Sequence, residues 1–399
     1  MNAQEICSAW RVEVFAPFPE SARVVFGRVA ARSAAFGHTS ASGGAPVLIG
    51  SAAGHDPEDV AVRARGELLE RMSNVLAGRA AERASAVVAT FEQLRCRRVP
   101  AVDPVHWGGP EAREASQLWV VGRSLLTEAE VLVPAGVAFL HHRPPIGCQA
   151  VIRAGSTGVA AHLDALAAAS HAAWEILERD VVRRSWYGGG PAPTVVSGDL
   201  GLPAALEQLL DRLGLRVTIL LIPAPVTVDC IVACLCNRDG HRQSFGARCR
   251  PRGDQRQSIE KAAYEALMVH WSMSTSVARS AWLQWAGSTL PRTAVEHALW
   301  ALHCQDSLRL WLDRPDPGLD RPDPAGLPVS ATRPGQSTAS WTPAQLLSAY
   351  TGEDVIAVDT TVAQIHTEGV VVARVVAPGA YPLPTGCRGD TGGPPHPFG

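Results

Sequence analysis

The chain reads as α+β, one large domain of mixed sheets with packed helices, on three observations. Strand-like and helix-like stretches interleave without a regular βαβ period, which argues against a doubly wound parallel sheet. The 399 residues are 46% hydrophobic and 19% charged, enough apolar material for a substantial core. No linker composition separates independent folds, so residues 1–50 are taken as a strand-rich segment of the same domain as 51–399.

Residues 11–50 read as short strands and turns, with Arg11-Val-Glu-Val-Phe15 alternating and Gly43-Gly44 breaking the run. Asp56-Pro57-Glu58-Asp59 is a helix start, with an acid at the N-cap, proline at N1 and acids in the first turn. The helix is predicted from about Val60 to Arg79, with a break at Gly78 and an extension open as far as Leu94. Residues 117–160 alternate in the strand manner, and a second helix is predicted from Asp164 to Arg184. Leu215–Ile222 and Thr227–Cys236 read as a strand pair, and a third helix begins near Asp254. Asp313-Arg-Pro-Asp-Pro317 recurs as Asp320-Arg-Pro-Asp-Pro324. Proline at that density continues neither a helix nor a central strand, so 313–340 is expected to be a mobile loop. Strands return at Val355–Asp359 and Val370–Val376, and the Pro/Gly-rich tail 378–399 is expected to be extended.

Composition excludes several classes. A formal net charge of -2 gives no basic footprint for nucleic acid. No apolar run reaches the ~18 residues of a membrane helix, and Met1–Ile6 lacks the basic and apolar regions of a signal peptide. A cytoplasmic protein without a membrane partner is expected, with its nine cysteines reduced. Cys230, Cys234 and Cys236 have a spacing that zinc could use, with Cys249 or His241 as a fourth ligand. Their apolar, β-prone surroundings favour buried strand residues instead, and no metal is assigned there. Lys261 is the only lysine, so neither a Walker A loop nor a kinase strand lysine exists. Any ATP chemistry must rest on glutamates and arginines.

Those residues form a pattern. Glu-x-x-Glu-Arg occurs twice on helices, as Glu67, Glu70, Arg71 and as Glu175, Glu178, Arg179. Residues three apart share a helix face, so each copy sets two carboxylates side by side with a guanidinium adjacent. A single copy on an exposed helix is most often a solvated face. Two copies suggest one site built from two helices, with Mg²⁺ neutralising the acids and arginines placed for phosphate oxygens.

The wider constellation resembles the YcaO family, ATP-dependent enzymes that activate peptide-bond oxygens. Arg65-Gly-Glu67-Leu-Leu-Glu70-Arg71 is close to the family's S-x-x-E-x-x-E-R, with Ala64 where the serine stands. Ser156-Thr-Gly-Val-Ala-Ala-His162, with Glu175-x-x-Glu178-Arg179-Asp180 beyond it, is similar to the S-T/N-G-x-A-A-H segment and its helix. Gly253 with Ala262-Ala-Tyr-Glu265-Ala266 resembles the third nucleotide-binding helix loosely. Val358-Asp-Thr-Thr361, Gly369–Gly379 and the ending Pro394-Pro-His-Pro-Phe-Gly399 resemble the closing strands and tail. Together these cover the chain from about residue 50 to its end.

The resemblance implies an ATP and Mg²⁺ site in which Glu67, Glu70, Glu175 and Glu178 hold metal. Arg71 and Arg179 would meet phosphates, with Ser156, His162 and Glu265 nearby; His162 reads equally as a capping or core histidine. The implied reaction is cyclodehydration: a substrate Cys, Ser or Thr attacks the preceding carbonyl, and the oxyanion takes the γ-phosphoryl group. Phosphate then leaves to give an azoline. Such chemistry needs charge neutralisation and in-line positioning rather than a protein nucleophile. By resemblance, the C-terminal carboxylate of Gly399 is the candidate base.

The chain departs from the pattern at Met268 and His270, where glutamine and arginine are usual, and in ending on glycine. Asp164 alone remains of the acidic stretch after His162. Only about fifty residues precede the first motif, against the ~80 of a leader-binding module. A separate leader-peptide-binding partner that presents a precursor peptide is therefore expected, and a homodimer is left open. Thioamide or macrolactamidine formation by the same activation, and a degenerate docking subunit, are the alternatives.

Overall fold

The computed structural model describes residues 10–37, 45–85, 87–224, 228–253, 255–286, 290–314, 341–383 and 393–398. Strands β1 (Glu13–Phe15), β2 (Val25–Arg32) and β3 (Val47–Gly54) form an antiparallel sheet in that order. Helix α1 (Pro57–Ala84) follows, its N-cap Asp56 accepting from the Glu58 and Asp59 amides. It runs straight through Gly78, where a break was expected. A Cβ there would lie 2.9 Å from the Phe139 Cβ, so the glycine makes room for packing and not for a turn. Leu94 belongs to a separate helical turn, Phe91–Cys96.

The largest sheet has the order β4-β5-β12-β13-β7, with β6 paired to β5. Its strands are β4 (Val87–Ala89), β5 (Gln117–Ser124), β6 (Glu130–Pro134), β7 (Val159–His162), β12 (Ile356–Asp359) and β13 (Val371–Val376). Much of 117–160 is therefore not strand: Ala135–Ala138 is a helical turn, and 141–153 forms no strand. Helix α2 (Ala165–Tyr187) starts at its Asp164 cap and stops at Gly188 in the left-handed region. The third sheet is β8 (Thr194–Val195), β9 (Leu215–Pro223), β10 (Val228–Asn237) and β11 (Ser244–Pro251), all antiparallel. The expected pair is β9–β10; β11 is an addition to it.

Helix α3 (Gln255–Met273) covers β11 and is followed by α4 (Ser276–Trp285), α5 (Ala294–His303), α6 (Ser307–Leu312) and α7 (Pro343–Thr351). Asp254, most of the proline-rich loop (315–340) and residues 384–392 and 399 of the tail lie outside the described residues. Residues 393–398 form neither helix nor strand.

One relation occurs three times. β3, β7 and β11 are end strands of their sheets, and each is followed in sequence by a motif helix. α1 packs on β3 and β7, α2 on β7 and β11, and α3 on β11 and β3, so the three units close into a ring. The approach of helix to strand is very close in two of them. A Cβ at Gly50 would lie 2.1 Å from the Ala64 carbonyl oxygen, and one at Gly246 2.3 Å from that of Ala262. Both carbonyls stand three residues before a glutamate, Glu67 and Glu265.

Candidate nucleotide site

Open sheet edges carry unpaired amides, and here those amides hold the glutamates. Each leading glutamate accepts from its own unit's edge. The Ser51 amide donates to Glu67 Oε2 at 2.5 Å, Gly158 to Glu175 Oε2 at 3.0 Å, and Ala247 to Glu265 Oε2 at 3.1 Å. Each second glutamate reaches the next unit's edge. Ala161 of β7 donates to Glu70, and Cys249 of β11 to Glu178 Oε2 at 2.9 Å. The corresponding position in α3, three residues beyond Glu265, is Met268. Five of six equivalent places are carboxylates.

These acids crowd one another. Burial holds the Glu70 carboxyl well above the usual range, and the nearby Glu175 and Glu67 add to it. Burial also raises Glu175, against the pull of Arg179. Glu265 is pushed up to about 7 by burial, with Arg179 opposing and Glu178 reinforcing. Burial works against the charge on Arg179, but Glu178, Glu265 and Glu175 more than restore it. The Arg179 guanidinium lies 3.8 Å from Glu178 Oε1 and 3.6 Å from Glu265 Oε1. Its buried Nη1 makes no hydrogen bond among the described residues. That leaves a charged donor beside Glu178 with hydrogen-bonding capacity to spare, which a phosphate oxygen could take up.

The remaining expected residues are placed differently. Arg71 is engaged, donating to the Ile49 carbonyl at 2.5 Å and pairing with Glu67 Oε1 at 2.5 Å. Ser156 is exposed in the turn before β7, where its carbonyl accepts from Val159 at 3.1 Å. His162 ends β7 with its ring 5.1 Å from His171, one turn ahead of Glu175. Burial lowers His171, and Arg250, His162 and Arg248 lower it further, so a basic cluster flanks the carboxylates there. Gly399 lies outside the described residues, but the residues before it are anchored. Trp186 Nε1 donates to the Pro394 carbonyl and Gln305 Nε2 to that of Pro395, each at 2.9 Å. His396 stacks on His297 at 3.7 Å, and Phe398 is buried against Phe245 of β11, two residues from Ala247.

Three arginines near the site escaped the sequence reading. Arg248 and Arg250 sit on β11, the strand that was not anticipated. Arg374, in the otherwise apolar β13, is buried near Glu175; a charge interrupting such a strand was the available signal. The cysteines lie in β10, with Cys230 opposite Cys249 on β11, and all four of this group are buried. Among the described residues no three His, Cys, Asp or Glu side chains are arranged to hold a metal together. The glutamates are turned to their amide donors instead. Mg²⁺ commonly takes only one or two carboxylates, completing its shell with phosphates and water, so neighbouring acids such as Glu70 and Glu175 fit a magnesium nucleotide.

Comparisons with known proteins agree. A family model described as "YcaO cyclodehydratase, ATP- and Mg2+-binding" matches residues 51–381. An uncharacterized protein of Methanothermobacter thermautotrophicus is 28% identical over 174 residues, 39% of this chain and 45% of that one. A heterocyclase in complex with substrate and cofactor superposes with a TM-score of 0.62 at 16% identity, covering 94% of this chain and 50% of that chain. YcaO from Methanopyrus kandleri bound with AMPPCP and Mg2+ gives 0.56 at 17% identity, covering 95% and 88%. The E. coli microcin synthetase McbBCD complex with pro-MccB17 bound gives 0.59 at 13%, covering 98% and 96%. The chain thus spans about half the length of the first two proteins it matches. No described helix is long and apolar enough to cross a membrane.

Proposed function

The chain belongs to the YcaO family of ATP- and Mg2+-binding cyclodehydratases, and we propose that it converts Cys, Ser or Thr residues of a ribosomally made precursor peptide to azolines. The observation that carries this reading is the cluster in which Glu67, Glu70 and Glu175 crowd one another and Glu175, Glu178 and Glu265 surround Arg179, whose buried Nη1 makes no hydrogen bond among the described residues. In this reading Glu67, Glu70, Glu175 and Glu178 hold Mg²⁺, which would screen the triphosphate and polarise the transferred phosphoryl group. Arg179, with Arg248 beside Glu265, neutralises phosphate oxygens as charge develops. The edge amides fix the carboxylates before nucleotide arrives, so little reorganisation is left for the reaction.

The substrate supplies its own nucleophile. Its thiol or hydroxyl adds to the preceding carbonyl carbon, and the former carbonyl oxygen attacks the γ-phosphorus, releasing ADP. The C–O bond then breaks with loss of phosphate and a proton, leaving a C=N bond and a peptide lighter by one water. The Gly399 carboxylate is the proposed base; the seating of Phe398 beside β11 supports it. The complex of the microcin synthetase with its pro-peptide supports a peptide substrate and a partner that presents it.

The test is peptide-stimulated phosphate release with the cognate precursor and partner, read beside mass spectrometry. Loss of water with phosphate release is expected, and both should vanish in Glu67→Ala and Glu178→Ala. Exchange of oxygen for sulfur would mark a thioamide instead. No phosphate release with partner and peptide present would favour a docking subunit.

A further inference from the structure

We propose that Arg374 is a positioning residue for the nucleotide site, setting the turn that presents Gly158 to Glu175. The chain of contacts is short. Arg374 Nη1 donates to the Gly155 carbonyl at 2.8 Å, and three residues on the Gly158 amide donates to Glu175 Oε2 at 3.0 Å. Between them stand Ser156, which the family resemblance puts near the nucleotide, and Thr157. Arg374 is itself fixed by β13, where it lies opposite Val159 of β7. The Val375 amide donates to the Gly158 carbonyl at 2.7 Å, clamping the same turn from the neighbouring residue.

An arginine here is not explained by stability. The side chain is 6% exposed in a strand that is otherwise apolar, and its Nε is buried without a hydrogen bond. A buried guanidinium so sparsely partnered is unfavourable compared with an apolar residue of similar length. Its hydrogen bond to Gly155 and its proximity to Glu175 are what it gains. Gly158 has φ +85 and would carry a Cβ only 2.8 Å from the Val375 carbonyl oxygen, so the turn has one tight conformation to hold. With the brace gone, the amide that orients Glu175 loses its fixed place, and the proposed metal ligand with it.

The effect on nucleotide rests on the function proposed above; the effect on the turn does not. The experiment therefore reads both, in Arg374→Met and Arg374→Gln, which cannot reach Gly155 as arginine does, and in Arg374→Lys. Amide hydrogen exchange over 155–161 is expected to quicken at least about tenfold in the Met and Gln variants, with Mg²⁺-AMPPNP affinity falling by a similar factor. The lysine variant should recover most of both, and the melting temperature of the Met variant should not fall. Unchanged exchange in both Met and Gln variants would overturn the proposal. So would a loss confined to melting temperature with affinity intact. If the wild-type protein binds no nucleotide, the functional reading fails, and exchange alone decides the role of Arg374.

Discussion

Glu265→Gln offers a test in which sign and size both come from the site. The Glu265 carboxyl, ordinarily near 4.5, is pushed to about 7. Between those values the unfolded chain has lost its proton while the folded chain keeps it. Folding stability therefore falls as pH rises from about 4.5, and the loss is complete above about 7. At ~1.36 kcal/mol per pH unit the full displacement corresponds to roughly 3 kcal/mol. Solvent reaches a third of the side chain, so about 2 kcal/mol is the working figure. Glutamine cannot ionise, yet its carbonyl can still accept from Ala247. Urea unfolding of both proteins without Mg²⁺, from pH 5 to pH 8.5, should show the variant gaining on wild type by about 2 kcal/mol across that range. Parallel pH profiles for the two proteins would refute the reasoning. Saturating Mg²⁺-nucleotide should reverse the ranking, because ligand at about 100 Kd adds ~2.7 kcal/mol to the protein that binds it.

Other consequences are independent. Gly246→Ala forces a Cβ to within 2.3 Å of the Ala262 carbonyl oxygen and should lower unfolding free energy by about 3 kcal/mol, seen as a reduced urea midpoint; an unchanged midpoint would contradict the close packing of α3 on β11. Phe398→Ala removes a ring that is 2% exposed among Phe245 and Trp311, and should cost about 3 kcal/mol and alter Trp311 fluorescence. If both stay as in wild type, the tail does not sit there in solution.

The helices of the site were legible because their signals are local. The Asp56 and Asp164 caps mark where both helices start and the i, i+3 glutamates mark the face each presents, and the helices begin where those caps put them. Gly78 was misread because a glycine that makes room for Phe139 looks the same in sequence as one that breaks a helix. β11 was missed because Ser244–Pro251 gains its identity from pairing with β10. The five edge amides were invisible for a deeper reason: a backbone N–H leaves no mark in a sequence, and which strand lies beside which glutamate is decided only by sheet order. Arg374 needed its fold too, since its bond to Gly155 spans 219 residues.

Nucleotide binding, measured by calorimetry with and without Mg²⁺ in wild type, Glu70→Gln and Glu178→Gln, tests the acid-caged magnesium site most directly. One AMPPNP per chain is expected to bind only when Mg²⁺ is present, about a hundredfold more weakly in each variant. Equal affinity in the presence of a chelator, or full affinity in both variants, would contradict it.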